Sequence, residues 1–205
     1  MSQDLLQNRD YTIILARNAS KTFGTQPGLD KQWLLAQESI IALAKKCEEL
    51  DPDGLTIYIA STPYQKYDNT TSQALVDLFE QPYGSDSINV VEPLKVAVDD
   101  HFSRKSRQQT KENGDIIIVI LDSEPKPRMA VVKLLVAATK KMDSQEELGV
   151  MFAQVGEDPI TRGFLTALDD DLHAAGAKLD IADTKLLSAM EESEITKFLL
   201  DALYD

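Results

Sequence analysis

Residues 115–121 read Asp-Ile-Ile-Ile-Val-Ile-Leu, an apolar run dominated by β-branched side chains. Such side chains favour strands, and a run without alternating polar residues predicts a strand that is covered on both faces. Helical patterns stand on both sides of it, at residues 91–104 and 128–142. The segment therefore predicts a central strand of an α/β sheet.

Short apolar runs and helical patterns alternate along the rest of the chain. Strands are predicted at residues 11–16, 55–60, 148–155 and 178–181, with a short edge strand at 64–67, and helices at 33–50, 71–80, 159–176 and 192–203. Strand–helix alternation produces parallel strands with right-handed crossovers. We therefore expect one doubly wound α/β domain over residues 1–205, with a mainly parallel central sheet of about six strands and helices on both faces.

Composition limits the classes of partner. The chain of 205 residues contains 21 Lys and Arg against 34 Asp and Glu, which gives a formal charge of −13. Such a charge disfavours nucleic acid and anionic membrane surfaces. A single cysteine, Cys47, excludes an internal disulfide, residues 1–10 contain no signal-peptide pattern, and no apolar run reaches membrane-spanning length. A cytoplasmic protein without membrane insertion is expected.

No enzyme motif is found in the sequence. Phosphate-binding glycine loops and the HExxH zinc motif are absent, and Cys47 in mid-helix indicates a buried side chain rather than a nucleophile. His101 and His173 lie beside acidic residues and are predicted to be solvated, as is the acidic run at 169–171. We expect a protein that is not an enzyme and has no cofactor.

Seven stretches, including DYTIIL at 10–15, ILDSEP at 120–125 and QVGEDP at 154–159, carry a family resemblance. The others lie at 36–39, 47–54, 67–69 and 167–171. Together they resemble von Willebrand factor type A (VWA) domains, in particular the single-domain bacterial cytoplasmic branch. The resemblance covers nearly the whole chain and implies a doubly wound, Rossmann-like sheet.

The resemblance also implies a metal-ion-dependent adhesion site. In the family it has a D-x-S-x-S motif after the first strand, a Thr in a later loop and an Asp after the fourth main strand. This chain has Ala-Arg-Asn-Ala-Ser at 16–20, and its Thr position falls at Ile88 or Ser87, so only Ser20 and Asp122 match. Mg²⁺ requires several oxygen ligands. We therefore expect a degenerate site without metal.

Three hypotheses of function remain open. The first is a non-enzymatic protein–protein interaction module, a scaffold or assembly factor, that no longer needs Mg²⁺. The second is a metal-dependent adhesion module that binds Mg²⁺ weakly through a rearranged site, with Asn18, Ser20, Asp86 and Asp122 as ligands and Ser87 nearby. The third is an enzyme of unrecognised type that uses the acidic loops. Asp122 could also have only a hydrogen-bonding role after its strand.

The partner, another protein, is expected at the loops beyond the carboxyl ends of the strands, where ligands of such sheets bind. The predicted partner-binding residues are Arg17, Asn18, Ser20, Lys21, Phe23, Ser87, Asp122, Ser123, Glu124, Lys126 and Arg128. They form a locally basic patch that favours an acidic partner surface. Phe23 provides an aromatic anchor of the kind that dominates interface energetics.

Overall fold

The computed structural model describes residues 3–17, 29–80, 88–187 and 192–203. Six strands and six helices are found in these ranges. The strands are β1 Asp10–Ala16, β2 Leu55–Ile59, β3 Gln65–Thr70, β4 Asp115–Leu121, β5 Leu148–Gln154 and β6 Ala182–Leu186. The helices are α1 Leu29–Leu50, α2 Ser72–Glu80, α3 Val91–Ser106, α4 Arg128–Thr139, α5 Pro159–Asp170 and α6 Glu192–Asp201.

The strands form one sheet in the order β3-β2-β1-β4-β5-β6. Neighbouring strands are parallel except for the antiparallel pair β2–β3. All seven residues of β4 are buried, as its apolar run predicts. The predicted fold class, a doubly wound and mainly parallel α/β sheet, is confirmed.

Helices cover both faces of the sheet because successive strand residues point to opposite sides. In β1, Ile13 and Leu15 pack with α1, α2 and α6, whereas Ile14 and Ala16 pack with α3, α4 and α5. Each fully buried Ile or Leu contributes about 1.5–3 kcal/mol relative to exposure. Two apolar layers of this kind hold the helices against the sheet and fix where the loops at the strand ends lie.

The last strand differs from its prediction. Residues 178–181 were predicted as a strand, but β6 runs from Ala182 to Leu186. Ile181, just before β6, is buried, and its carbonyl oxygen accepts a 2.7 Å hydrogen bond from Val150 N. This residue therefore shares the burial and the backbone pairing of a strand residue. The strand itself is an edge strand with the polar sequence ADTKL, which lacks the apolar signature of a covered strand.

Other predicted boundaries move by a few residues. The edge strand predicted at 64–67 is β3, and α5 ends at Asp170, before the turns that lead to Gly176. In the described part of the chain, no helix combines the length and apolar character needed to cross a membrane.

Candidate functional site

The strand order reverses between β1 and β4. From this point the chain runs outward in both directions, and the helices that follow the two strands, α1 and α4, lie on opposite faces. The last residues of the two strands, Ala16 and Leu121, are neighbours in register. A crevice at the carboxyl ends of the strands follows from this reversal, and it is where ligands of open α/β sheets bind.

Asp122 lies at this crevice directly after β4 and is 1% exposed. Trp33 Nε1 donates a 3.0 Å hydrogen bond to Asp122 Oδ2, and Ser123 Oγ donates a 3.0 Å hydrogen bond to Asp122 Oδ1. Both carboxylate oxygens are therefore bound by neutral donors of the chain itself. The arrangement ties the loop after β4 to the second turn of α1, because Trp33 lies within Leu29–Leu50.

Arg17 places a positive charge against the Trp33 indole. Its Cζ atom lies 5.7 Å from the centroid of the Trp33 ring, within the range of a cation–π contact. Trp33 therefore contacts both Asp122 and Arg17 at this end of the sheet. A divalent cation beside Asp122 would meet the guanidinium as a like charge.

The loop after β4 contributes less positive charge than predicted. Lys126 and Arg128 are exposed and Ser123 and Glu124 half-buried, but the Arg128 guanidinium forms an ion pair with the Glu124 carboxylate. Arg128 Cζ also lies 5.8 Å from the centroid of the Phe164 ring. The predicted basic patch therefore consists, among the described residues, of Arg17, Lys126 and an Arg128 that Glu124 largely neutralises.

Six predicted site residues, Asn18, Ser20, Lys21, Phe23, Asp86 and Ser87, lie outside the described residues. Ile88, at the predicted Thr position, is described: it is half-buried and packs against the core on the α3 side of the sheet. Of the predicted set, the structure thus places Arg17, Asp122, Ser123, Glu124, Lys126 and Arg128.

The sequence analysis missed Trp33 as the partner of Asp122, although it is the single Trp of the chain. It also missed four exposed apolar side chains: Leu34 (63%), Leu35 (59%), Met129 (57%) and Ile160 (59%). All four lie in the first two turns of α1, α4 or α5, the helices that follow β1, β4 and β5. They line the same end of the sheet as Asp122. In the sequence, these residues could be found as apolar residues at helix positions that do not belong to the buried face.

At the opposite end of the sheet, Asp10, Asp51 and Asp53 bring carboxylate oxygens within 4.8 Å of one another, a spacing that a metal ion could use. Lys111 Nζ already contacts all three, at 3.0 Å from Asp10 Oδ1 and closer still to Asp51 and Asp53. The ammonium group therefore occupies the cation position in this cluster.

The prediction that His101 is solvated is wrong. Its ring is fully buried, with Nδ1 3.0 Å from Asp115 Oδ1 and Nε2 3.1 Å from Glu147 Oε1. Helical periodicity placed this histidine on a helix but did not show that two acids distant in sequence would meet it. His173 is exposed, as predicted. Cys47 is buried, and burial raises the pKa of its thiol far above neutrality, which agrees with a structural role.

Comparison with known proteins finds similar structures but no matching family. No protein-family model and no curated protein sequence matches the chain. Two crystal forms of proximal thread matrix protein 1 from the mussel byssus, which has a VWA-like fold, are similar in structure. One matches at TM-score 0.50 and 14% identity over 97% of this chain, the other at TM-score 0.53 and 12% identity over 96%. The chain spans 48% and 47% of those chains, about half their length.

Proposed function

We propose that this chain is a non-enzymatic protein–protein interaction module, of the adhesion or matrix type, that acts as a scaffold or assembly factor. It binds another protein through the loops at the carboxyl ends of its strands, and it does so without a divalent cation. The observation that carries the proposal is the hydrogen bond between Trp33 and Asp122, which engages the one matching carboxylate of the degenerate adhesion site.

The chemistry around Asp122 supports a site without metal. At the position of the first family carboxylate stands Ala16, whose methyl group is 1% exposed and packs in the core. Mg²⁺ prefers nearly octahedral oxygen coordination, and each lost carboxylate removes Coulomb attraction. Arg17 adds repulsion on the same side. With no metal to present, recognition would depend on the protein's own side chains.

Those side chains lie at the rim of the crevice, by which we mean Arg17, Leu34, Lys126, Met129 and Ile160. Leu34, Met129 and Ile160 are more than half exposed, and all three lie in the first two turns of helices that begin at this end of the sheet. Single exposed apolar residues are ordinary, but apolar residues gathered at one end of a fold are typical of an interaction surface. Lys126 and Arg17 supply positive charge beside them. Apolar anchors with a charged surround are typical of protein recognition. A cytoplasmic location is part of the proposal and is supported by the single, buried Cys47.

Isothermal titration calorimetry with Mg²⁺ and Mn²⁺ tests the metal part of the proposal. We expect no saturable heat at millimolar metal and no rise in melting temperature, because a ligand far below its dissociation constant contributes almost no stabilisation. Micromolar affinity would instead support the metal-dependent alternative through Asn18, Ser20, Asp86 and Asp122.

Affinity capture from native lysate, divided between Mg²⁺ and chelator, tests the protein-binding part. The same partner should be captured in both halves, and Ile160→Asp with Leu34→Asp should reduce its recovery at least tenfold. Thr166→Asp is the matched control, because Thr166 is exposed on α5 but lies well beyond its first turn. Equal loss with Thr166→Asp would contradict the rim as the site. Turnover of a phosphoester or peptide panel would contradict the non-enzymatic assignment.

A further inference from the structure

The chain's charge is distributed unevenly. Residues 125–142, which contain α4, include five Lys and Arg and no Asp or Glu, whereas the whole chain carries −13. The remaining 187 residues therefore carry −18. The overall composition does not reveal this basic segment, because the rest of the chain is acidic. At physiological salt, its charges are screened beyond about 8 Å.

The basic segment has an ordered exposed face. Met129, Lys133, Ala137 and Lys140 are exposed and Val136 is half-buried. They follow one another at i, i+4, i+7, i+8 and i+11, so they lie along one side of the helix. The opposite side packs into the core through Val131, Leu135 and Ala138. We call this exposed side the α4 stripe.

The lysines of the α4 stripe have no acidic partner within the described part of the chain. Lys95, Lys105 and Lys111, on or after α3, are each paired with one or more carboxylates. Among the described residues, no such pair involves Lys133 or Lys140. The two lie seven residues apart, about 10 Å along the helix axis. These two exposed ammonium groups are therefore available to the carboxylates of a partner.

Aromatic rings flank the α4 stripe on both sides. Phe102 of α3 is half-buried with Lys141 Nζ 5.2 Å from its centroid, and Phe164 of α5 is half-buried beneath Arg128. The groove between α3 and α4 is therefore apolar at its base with Lys141 above it, whereas on the α5 side the charge of Arg128 is shared with Glu124. Such a surface is complementary to a ligand that alternates apolar and acidic side chains.

We propose that the α4 stripe binds an amphipathic helix of a partner protein that carries Asp or Glu at seven-residue spacing beside apolar residues. Lys133 and Lys140 are seven residues apart, which is two helical turns, and acidic residues seven apart on a partner helix have the same spacing. Two packed helices lie about 8–10 Å apart, close enough for such side chains to meet. The stripe runs down the side of the domain, away from the rim. Met129, at the start of the stripe, also belongs to the rim surface of the proposed function, whereas Lys133 and Lys140, which carry this binding site, lie beyond the rim.

Charge on the neighbouring helices favours a helix over a flat anionic membrane. On α3, Glu92 is exposed, while the exposed Asp99 and Asp100 are paired with Lys95 and Arg104. Asp170 and Asp171 are exposed at the end of α5. A membrane would face these carboxylates together with α4, whereas a single helix lies between them. The partner that fits is therefore narrow as well as acidic.

A three-heptad peptide tests the proposal, with Leu on its apolar face and one Glu in each heptad at the edge of that face. Its binding is measured by fluorescence anisotropy against the full chain. We expect saturable micromolar binding that weakens with added salt. Lys133→Glu with Lys140→Glu should weaken it at least tenfold, about 1.4 kcal/mol. The matched control is Lys31→Glu with Lys45→Glu, two exposed lysines of α1, which should change affinity less than twofold.

Several results would overturn the proposal. These are absence of peptide binding, equal weakening by the α1 control, and equal binding of a peptide with Lys in place of Glu. Retention on phosphatidylserine vesicles without peptide binding would indicate a lipid surface, and concentration-dependent self-association lost with the α4 variant would indicate a second copy of the chain. Rim binding is tested with Leu34 and Ile160 variants, so either proposal can fail alone.

Discussion

Trp33 and Asp122 are separated by 89 residues in sequence, yet a 3.0 Å hydrogen bond joins indole Nε1 to carboxylate Oδ2. The bond links the helix after β1 to the loop after β4, the two strands between which the strand order reverses. A tryptophan here does what a metal would do for a carboxylate at this position: it satisfies an acceptor that burial removes from water.

Removing the indole donor should destabilise the fold. A hydrogen bond to a charged group contributes about 1.5–3 kcal/mol, and an unpaired buried acceptor is costly. We expect a coupling energy of about 1.5–3 kcal/mol between Trp33→Phe and Asp122→Ala in a double-mutant cycle measured by urea unfolding. Tyr67→Phe removes an exposed hydrogen bond to Gln65 and should change stability by less than about 0.5 kcal/mol. A coupling energy near zero would contradict the role assigned to Trp33.

Metal binding should be restorable by substitution. Ala16→Asp, Asn18→Ser and Ile88→Thr rebuild the family pattern, and Trp33→Phe releases the Asp122 carboxylate. Because residue 16 is buried, the new carboxylate is expected to destabilise the fold without metal and to make the melting temperature depend on Mg²⁺. Thermal melts with and without Mg²⁺ measure this.

The control for that experiment keeps Trp33 and carries the other three changes. It should show a weaker Mg²⁺ response, because the indole still bonds to Asp122. If both variants lack any response, the Thr position is not at Ile88, and the alignment of the loop before α3 is wrong.

The fold was predictable where burial is complete. A short strand such as β4, apolar at nearly every position, fits a central strand better than any other element. Parallel topology then predicts that the loops after the parallel strands lie at the same end of the sheet. Strand β6 was misplaced because it is the last strand of the described sheet and its sequence is largely polar, so it lacks the apolar run of a covered strand. Partners distant in sequence were also missed: neither Trp33 with Asp122 nor His101 with Glu147 leaves a local pattern, since only the packed sheet brings them together.

Lys111 should be more important for stability than an ordinary surface lysine. It contacts Asp10, Asp51 and Asp53, and Asp51 is 2% exposed. Burial raises the pKa of the Asp51 carboxyl to about 6, with Asp53 adding to the rise and Lys111 opposing it. Lys111→Met would leave buried negative charge unpaired, at a cost of about 3 kcal/mol, the lower end of the range because Asp53 is exposed.

Urea unfolding at pH 7 measures this loss. Lys95→Met is the matched control, since Lys95 forms an exposed i,i+4 pair with Asp99 that contributes only about 0.3–0.5 kcal/mol. Part of the lost stability should return at pH 5, where protonation removes the charge of Asp51. A loss no larger than that of the control would show that the cluster is solvated.

The buried His101 should make stability fall as pH rises. Burial lowers the pKa of His101, but the Asp115 and Glu147 carboxylates outweigh it and raise the pKa above the usual 6.5. Nδ1 lies 3.0 Å from Asp115 Oδ1, and Nε2 lies 3.1 Å from Glu147 Oε1, so a carboxylate stands at each ring nitrogen. The folded state therefore holds the proton more tightly than the unfolded state. This contribution is complete below about pH 6.5 and is lost as pH rises through the folded-state pKa, at about 1.4 kcal/mol for each unit of difference.

Other charged groups around the His101 ring determine how stability changes at low pH. Lys105 binds Glu147 at 2.8 Å, Arg104 binds Asp115, and Arg9 donates to the Asp115 carbonyl. Burial raises the pKa of Glu147, but hydrogen bonds from Asp143 N, Lys105 and His101 lower it below 4.5. The stability that Glu147 contributes is therefore present above its unfolded pKa and lost as pH falls through the folded value. Together the two groups predict maximal stability between about pH 5 and 6.5.

Urea unfolding of the wild type and of His101→Gln from pH 5 to pH 8 tests this profile. The variant should be about 1.5–3 kcal/mol less stable at pH 6, because Asp115 and Glu147 lose the charged contact with His101 while Arg104 and Lys105 remain beside them. Its stability should also change little between pH 6 and 8, where the wild type declines. His173→Gln, at the exposed histidine, should keep the wild-type profile. If His101→Gln retains the decline, the titrating group is not His101, and the ring between Asp115 and Glu147 is neutral in the folded protein.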